Sequence, residues 1–135
     1  MFDFESYLKM NQFDIAQYFR GLIAIAQLDG KMCENEEMFL NEQAELFSFD
    51  ISELLAQPVS AGEISLADME PITKKLIIRD FIGLAYCDGD YDKRERNRVN
   101  EIAQEAGIAQ SEVDAIEKWL CEYWSLMESA EKLFL

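Results

Sequence analysis

Histidine is absent from this chain. Its absence removes Ser–His and Cys–His nucleophile pairs, imidazole general bases and every histidine-containing zinc site. Cysteine is scarce. Cys33, Cys87 and Cys121 are odd in number, too widely spaced for a disulfide framework, and form no CxxC pair for redox or zinc chemistry. Their plain reading is reduced thiols packed as small core residues in a cytoplasmic protein. Two prolines and six glycines exclude a collagenous chain and argue against a loop-rich one. No apolar run approaches the ~20 residues needed to cross a bilayer, so an integral membrane protein is not expected. The segment Met1 to Ser6 carries acids where a signal peptide carries basic residues. Positive charge is also short: 12 Lys and Arg face 27 Asp and Glu, a formal net charge of −15. Nucleic acid is therefore not expected as a main partner, because binding a polyanion needs concentrated positive charge.

Half of the 135 residues are apolar, and aromatics are plentiful, so a single domain spanning 1–135 has the material for a real core. The charge is uneven: residues 1–70 carry net −11 and residues 71–135 carry net −4. An acidic face thus belongs mainly to the first half. Helical periodicity dominates, and no run alternates with a period of two. The pattern predicts an all-α domain with helices at 13–28, 34–48, 51–57, 71–87, 93–106 and 111–131, and a short one at 3–9. Gly30 and Gly89 stand where a left-handed residue ends a helix, and Pro71 suits a first turn. Ser111, with Asp114 three residues on, reads as an N-cap. Pro58 to Gly62 is the connector.

The chain resembles itself. A shift of 59 residues lays Ile23-Ala24-Ile25-Ala26-Gln27-Leu28-Asp29-Gly30 over Ile82-Gly83-Leu84-Ala85-Tyr86-Cys87-Asp88-Gly89. The same shift pairs Glu36 with Glu95, Leu40 with Val99, Ala44 with Ala103, and Ser52-Glu53 with Ser111-Glu112. An internal duplication is expected, with repeat one at about 13–57 and repeat two at about 71–131. The two segments that lead into the DG turns are the most apolar and should be central, packed on each other. Ala24 with Gly83, and Ala26 with Ala85, are the small residues expected to let them approach. Segment 93–106 carries only a narrow stripe of Val99, Ile102, Ala103 and Ala106, as a surface helix does.

The DG turns carry the one recognisable motif. Copy one reads Asp29-Gly30-Lys31-Met32-Cys33-Glu34-Asn35-Glu36, and copy two reads Asp88-Gly89-Asp90-Tyr91-Asp92-Lys93-Arg94-Glu95. An apolar helix running into A-x-A-D-G, then about five residues to a Glu opening the next helix, the unit occurring twice, resembles the TerB-like domains. These are named for the tellurite-resistance protein TerB and also found at the N-terminus of DjlA co-chaperones. Leu28 and Cys87 depart from the small residue usual before the Asp, and Lys31 from a common acid. The resemblance implies an internally duplicated bundle of six or seven helices with pseudo-two-fold symmetry. It also implies a non-enzymatic binding module in a tellurite or stress-response setting.

Two readings of the acids stay open. Asp–Gly at a helix end and Glu in the next first turn is ordinary turn and cap chemistry. Alternatively, Asp88, Asp90, Asp92 and Glu95 supply four carboxylates within eight residues, an oxygen-rich setting for Ca²⁺ or Mg²⁺. The spacing is not that of an EF-hand. Copy one offers Asp29 and Glu36 but has Lys31 and Cys33 in the other places, so a cation there should bind more weakly. Lys93, Arg94, Arg96 and Arg98 read as a solvated, salt-bridged face. Met10, Met32 and Met38 read as core fillers.

The last helix has more apolar surface than one contact requires. Val113, Ile116, Leu120, Trp124 and Met127 form one stripe, and Trp119, Tyr123, Leu126 and Ala130 an adjoining one. Either the N-terminal Phe2, Phe4, Tyr7 and Leu8 cover the second stripe, or it docks a protein partner or a second copy through Trp119, Tyr123 and Leu126. The competing function is accordingly a protein-interaction or homo-oligomerisation domain whose DG turns are purely architectural.

Overall fold

The computed structural model describes residues 3–4, 15–28, 30–57, 64–87, 89 and 91–135. Among them the chain is all-helical, with no strand. The helices are α1 (Ile15–Ala26), α2 (Glu34–Leu46), α3 (Ser52–Leu55), α4 (Pro71–Ala85), α5 (Lys93–Glu105) and α6 (Gln110–Phe134). The expected short helix at 3–9 falls outside the described residues except for Asp3 and Phe4, as does the connector 58–62.

α1 is buried nearly all round, from Tyr18 to Ala26 with only Arg20 part-exposed, as its sequence IAQYFRGLIAIA requires of a central helix. Its most extensive packing is against α4, which also touches α2, α5 and α6. The expected pairing of the two apolar segments is therefore observed. Its close point differs from the one expected. Gly83 faces Phe39 of α2, and a Cβ built on it would lie 3.7 Å from that ring. The tight approach is at Gly21 instead, where the Phe81 ring occupies the space that a Cβ would take. Around this point Phe19 stacks on Phe49 with ring centroids 4.9 Å apart, and Tyr18, Phe47 and Phe81 complete an aromatic cluster.

A charge lies between α1 and α4. Asp80 of α4 is buried and accepts a hydrogen bond from the Tyr18 hydroxyl at 2.8 Å and another from Arg79 Nε at 2.9 Å. Gln43 of α2 donates to the same hydroxyl at 2.7 Å, so three helices meet at one phenol. Burial, reinforced by the Asp80 charge, holds the Tyr18 ionisation well above its ordinary value.

Local features recur 59 residues apart. Glu34–Leu46 shifted by that amount is Lys93–Glu105, the bounds of α2 and α5. Gly30 and Gly89 follow α1 and α4 at φ of 94° and 85°, a region where a Cβ would meet the backbone. The ends of α2 and α5 are closed alike: Phe49 N–H donates to Ala44 O and Ile108 N–H to Ala103 O, each at 2.9 Å. The left-handed residue inside that closure is Ser48 in one case and Gly107 in the other. This closure also corrects the expected start of the last helix. Pinning Ile108 to α5 places Ala109 at the N-cap with extended backbone, so Ser111 lies within the first turn and does not cap it. Asp114 instead accepts from the Gln110 side chain at 3.0 Å.

α5 buries Glu95, Val99, Ile102 and Ala103, the narrow stripe expected with one acid added, and leaves its other face to solvent. α6 runs longer than expected, about 37 Å at 1.5 Å per residue. Only Val113 and Leu120 of its 25 residues are fully buried. No helix among the described residues is long and apolar enough to cross a membrane.

Candidate functional site

Two regions stand out, the DG turns and the outer face of α6. In the turns, Asp29, Asp88 and Asp90 lie outside the described residues. The remaining acids of the motif are engaged in capping. Glu36 Oε1 accepts the Cys33 backbone N–H at 2.9 Å. Glu95 Oε1 accepts the Asp92 N–H at 3.1 Å, and Asp92 Oδ1 accepts the Glu95 N–H at 2.8 Å, a reciprocal capping box. Both glutamates are buried, at 3% and 5% exposure. A carboxylate is tolerable there because it faces the N–H groups and positive dipole end of its own helix. Among the described residues no group of three or more Cys, Asp or Glu side chains converges on one point. Asn35 Nδ2 donates to Cys87 O at 3.1 Å, fastening the first turn of α2 to the end of α4 beside the second DG turn.

The basic face of α5 is salt-bridged, as expected. Arg94 lies 3.8 Å from Asp92, and Arg98 bonds Glu101 at 3.2 Å. Arg96 has a partner that spacing did not disclose. It forks onto Glu117 of α6 at 2.5 and 3.0 Å, and its guanidinium sits 4.1 Å from the centroid of the buried Tyr91 ring. Tyr86 donates to the same carboxylate at 2.6 Å and packs edge-on against Trp124. Burial opposes the Glu117 charge, but the hydrogen bonds from Arg96 and Tyr86 outweigh it and hold the carboxyl below its usual range. Burial, with the bond to Glu117, pushes the Tyr86 phenol up. A carboxyl whose folded pKa is depressed stabilises above its unfolded pKa, and that stability fades as pH falls through the folded one. Glu117→Gln should therefore cost about 1 kcal/mol at neutral pH, a figure discounted for the half-exposed Arg96. The gap in melting temperature from wild type should close as the pH is lowered through the carboxylate range; a gap independent of pH would contradict this account.

Two packing expectations need correction. Met32 packs against the core, but Met38 is 54% exposed, because the buried stripe of α2 is Glu36, Leu40 and Ala44 and residue 38 falls off that face. Met10 lies outside the described residues. No cysteine is a fully buried core residue: Cys33 and Cys87 are half-buried at helix ends, and Cys121 is exposed on α6.

The outer face of α6 keeps its apolar residues in solvent. Trp119 is 48% exposed, Tyr123 46% and Leu126 66%, and the Trp119 and Tyr123 rings stack with centroids 5.6 Å apart. Phe4 reaches this region, lining with Leu76, Ile116 and Trp119 an apolar cavity of about 320 Å³ between α4 and α6. Phe2, Tyr7 and Leu8 lie outside the described residues. Past Trp124 the helix leaves the body, and from 125 to 134 every residue but Ala130 is exposed. Set against protein-family models, curated proteins and solved structures, the chain has no significant match.

Proposed function

We propose that this chain is a TerB-like helical binding module, without catalytic machinery of its own, that docks a protein partner on the outer face of α6. One observation carries the proposal: a stripe with Trp119, Tyr123 and Leu126 in solvent on a helix that continues past the domain body. Stacked aromatics and a leucine exposed together are costly in a lone monomer and typical of the centre of an interface. The recurrence of helix bounds, glycine turns and helix closures at one 59-residue shift supports the duplicated, pseudo-two-fold organisation. A cytoplasmic tellurite or stress-response setting follows from the resemblance alone. A photoreactive residue in place of Leu126 should cross-link to a protein in cells that make the chain. The same residue in place of Glu53, exposed on α3, should not. Absence of any cross-link at Leu126 overturns the docking role.

A second reading concerns a divalent cation at the second DG turn. Its support is that Asp92 and Glu95, both held at the start of α5 by the capping box, closely follow Asp88 and Asp90 in the sequence. Oxygen-only ligands favour Ca²⁺ or Mg²⁺ over transition metals, and Asp29 with Glu36 would form the weaker counterpart. Millimolar calcium should raise the melting temperature, and the paired changes Asp88→Asn and Asp90→Asn should abolish the rise; an unmoved wild type would leave the acids as turn and cap residues only.

A further inference from the structure

The spacing of the exposed residues on α6 identifies a specific occupant for that face. The exposed Trp119, Tyr123, Leu126 and Leu133, together with the half-buried Ile116 and Ala130, follow one another at alternating intervals of three and four residues, the a and d positions of a coiled-coil seam. Trp119, Tyr123, Leu126 and Leu133 are 46–74% exposed, and the members of the seam differ in size along its length: bulky Trp119 near one end, small Ala130 near the other. The first half of α6 rests on the body of the domain, while the second half projects from it.

We propose that α6 pairs antiparallel with α6 of a second copy, about a two-fold axis passing between residues 124 and 125. This rests on the reading of α6 as the docking face. In that register an a residue meets a d residue of the other chain: Tyr123 meets Leu126, Ile116 meets Leu133, and Trp119 fills the space over Ala130. The two-fold repeats each contact, as an isologous interface does. A parallel pair would set Trp119 against Trp119 and leave a gap at Ala130, and it would bring the two domain bodies to the same end. Antiparallel pairing lays each projecting half beside the partner's body-supported half and opposes the helix dipoles.

The flanking positions agree. On the open side Glu122 faces Ser129, so no like charges are opposed across the seam; the other side is closed by the domain body, into which Leu120 packs. Trp119, Tyr123, Leu126, Met127, Leu133 and Phe134, between 46% and 80% exposed, offer roughly 600 Å² of apolar surface per protomer. A pair would bury about 1,200 Å², the lower bound of specific interfaces, which points to a reversible micromolar dimer. Because each chain carries net −15, long-range repulsion opposes the association and salt should relieve it.

Sedimentation of the full chain tests the proposal. A monomer–dimer equilibrium is expected, tightening several-fold between about 0.05 M and about 0.5 M NaCl. Ala130→Trp adds apolar surface yet should weaken the dimer at least tenfold, because the opposing Trp119 has nowhere to go. Trp119→Ala should weaken it similarly, and the double variant, which exchanges the sizes, should restore it. Residue 130 lies on the projecting half, so circular dichroism and the melting temperature of the Ala130→Trp monomer should match wild type. A dimer that Ala130→Trp leaves intact overturns the register. A monomer at all concentrations and salts overturns the second copy; a cross-link from position 126 to a different protein would then leave the docking role standing.

Discussion

Replacing Gly21 with alanine should lower the unfolding free energy by about 3 kcal/mol, the upper end of overpacking costs in a well-packed core. On helix propensity alone the change would be a gain of ~1 kcal/mol, since alanine is the better helix former. The opposite sign follows from what stands over Gly21. The Phe81 ring occupies the position of the missing Cβ, and Phe81 is itself fully buried, so it cannot swing into solvent. α1 and α4 would have to separate along the most extensive helix–helix contact among the described residues. Gly83→Ala is the internal control. There the new Cβ would touch only Phe39, at the ordinary contact distance of 3.7 Å, and the propensity gain should survive. Thermal unfolding should therefore show roughly a 10 °C fall for the first variant and a small rise for the second. Similar melting temperatures for the two would contradict the described packing.

Asp80→Ala should be at least as damaging, costing about 3–5 kcal/mol, the range for removing one partner of a buried charged network. The carboxylate accepts from Tyr18 and from Arg79 in the interior between α1 and α4, and truncation takes an acceptor from a phenol with 4% exposure. Asp80→Asn keeps an acceptor for Tyr18 but removes the charge facing Arg79, so it should fall between wild type and alanine. Because Tyr18 and Asp80 act as a unit, Tyr18→Phe combined with Asp80→Ala should cost less than the separate losses added together. Denaturant titration measures all four. If Asp80→Ala costs no more than Asp114→Ala, at an exposed position of α6, the network is not holding the helices together.

These effects separate what one-dimensional pattern discloses from what it hides. The central position of α1 and α4 was legible because a helix apolar all round has nowhere else to go. The bounds of α2 and α5, and the turns at Gly30 and Gly89, were legible because glycine, acid and apolar spacing act locally. So was the role of Glu36 and Glu95 as caps, which needs only the three residues before them. The Asp80 side chain, by contrast, reads along α4 as one more break in an apolar run. Its burial follows from Tyr18, 62 residues earlier. The Arg96–Glu117 fork likewise joins residues that no spacing relates, 21 apart on two helices that cross.

The amino-acid sequence by itself determined the all-helical class, the 59-residue recurrence of turns and caps, the buried stripe of α5 and the surplus apolar face of the last helix. Each depends on periodicity or on chemistry within one turn, and both are written in neighbouring residues. Tertiary structure alone decided that Gly21 and not Gly83 admits the close approach. It also decided that Asp80 is an interior residue, that Met38 faces solvent, and that the last helix begins at Gln110 and extends beyond the body. Those outcomes depend on which face meets which across the bundle, and the rotation of one helix against another is fixed by side chains far apart in the chain, with packing density leaving no room for the alternative.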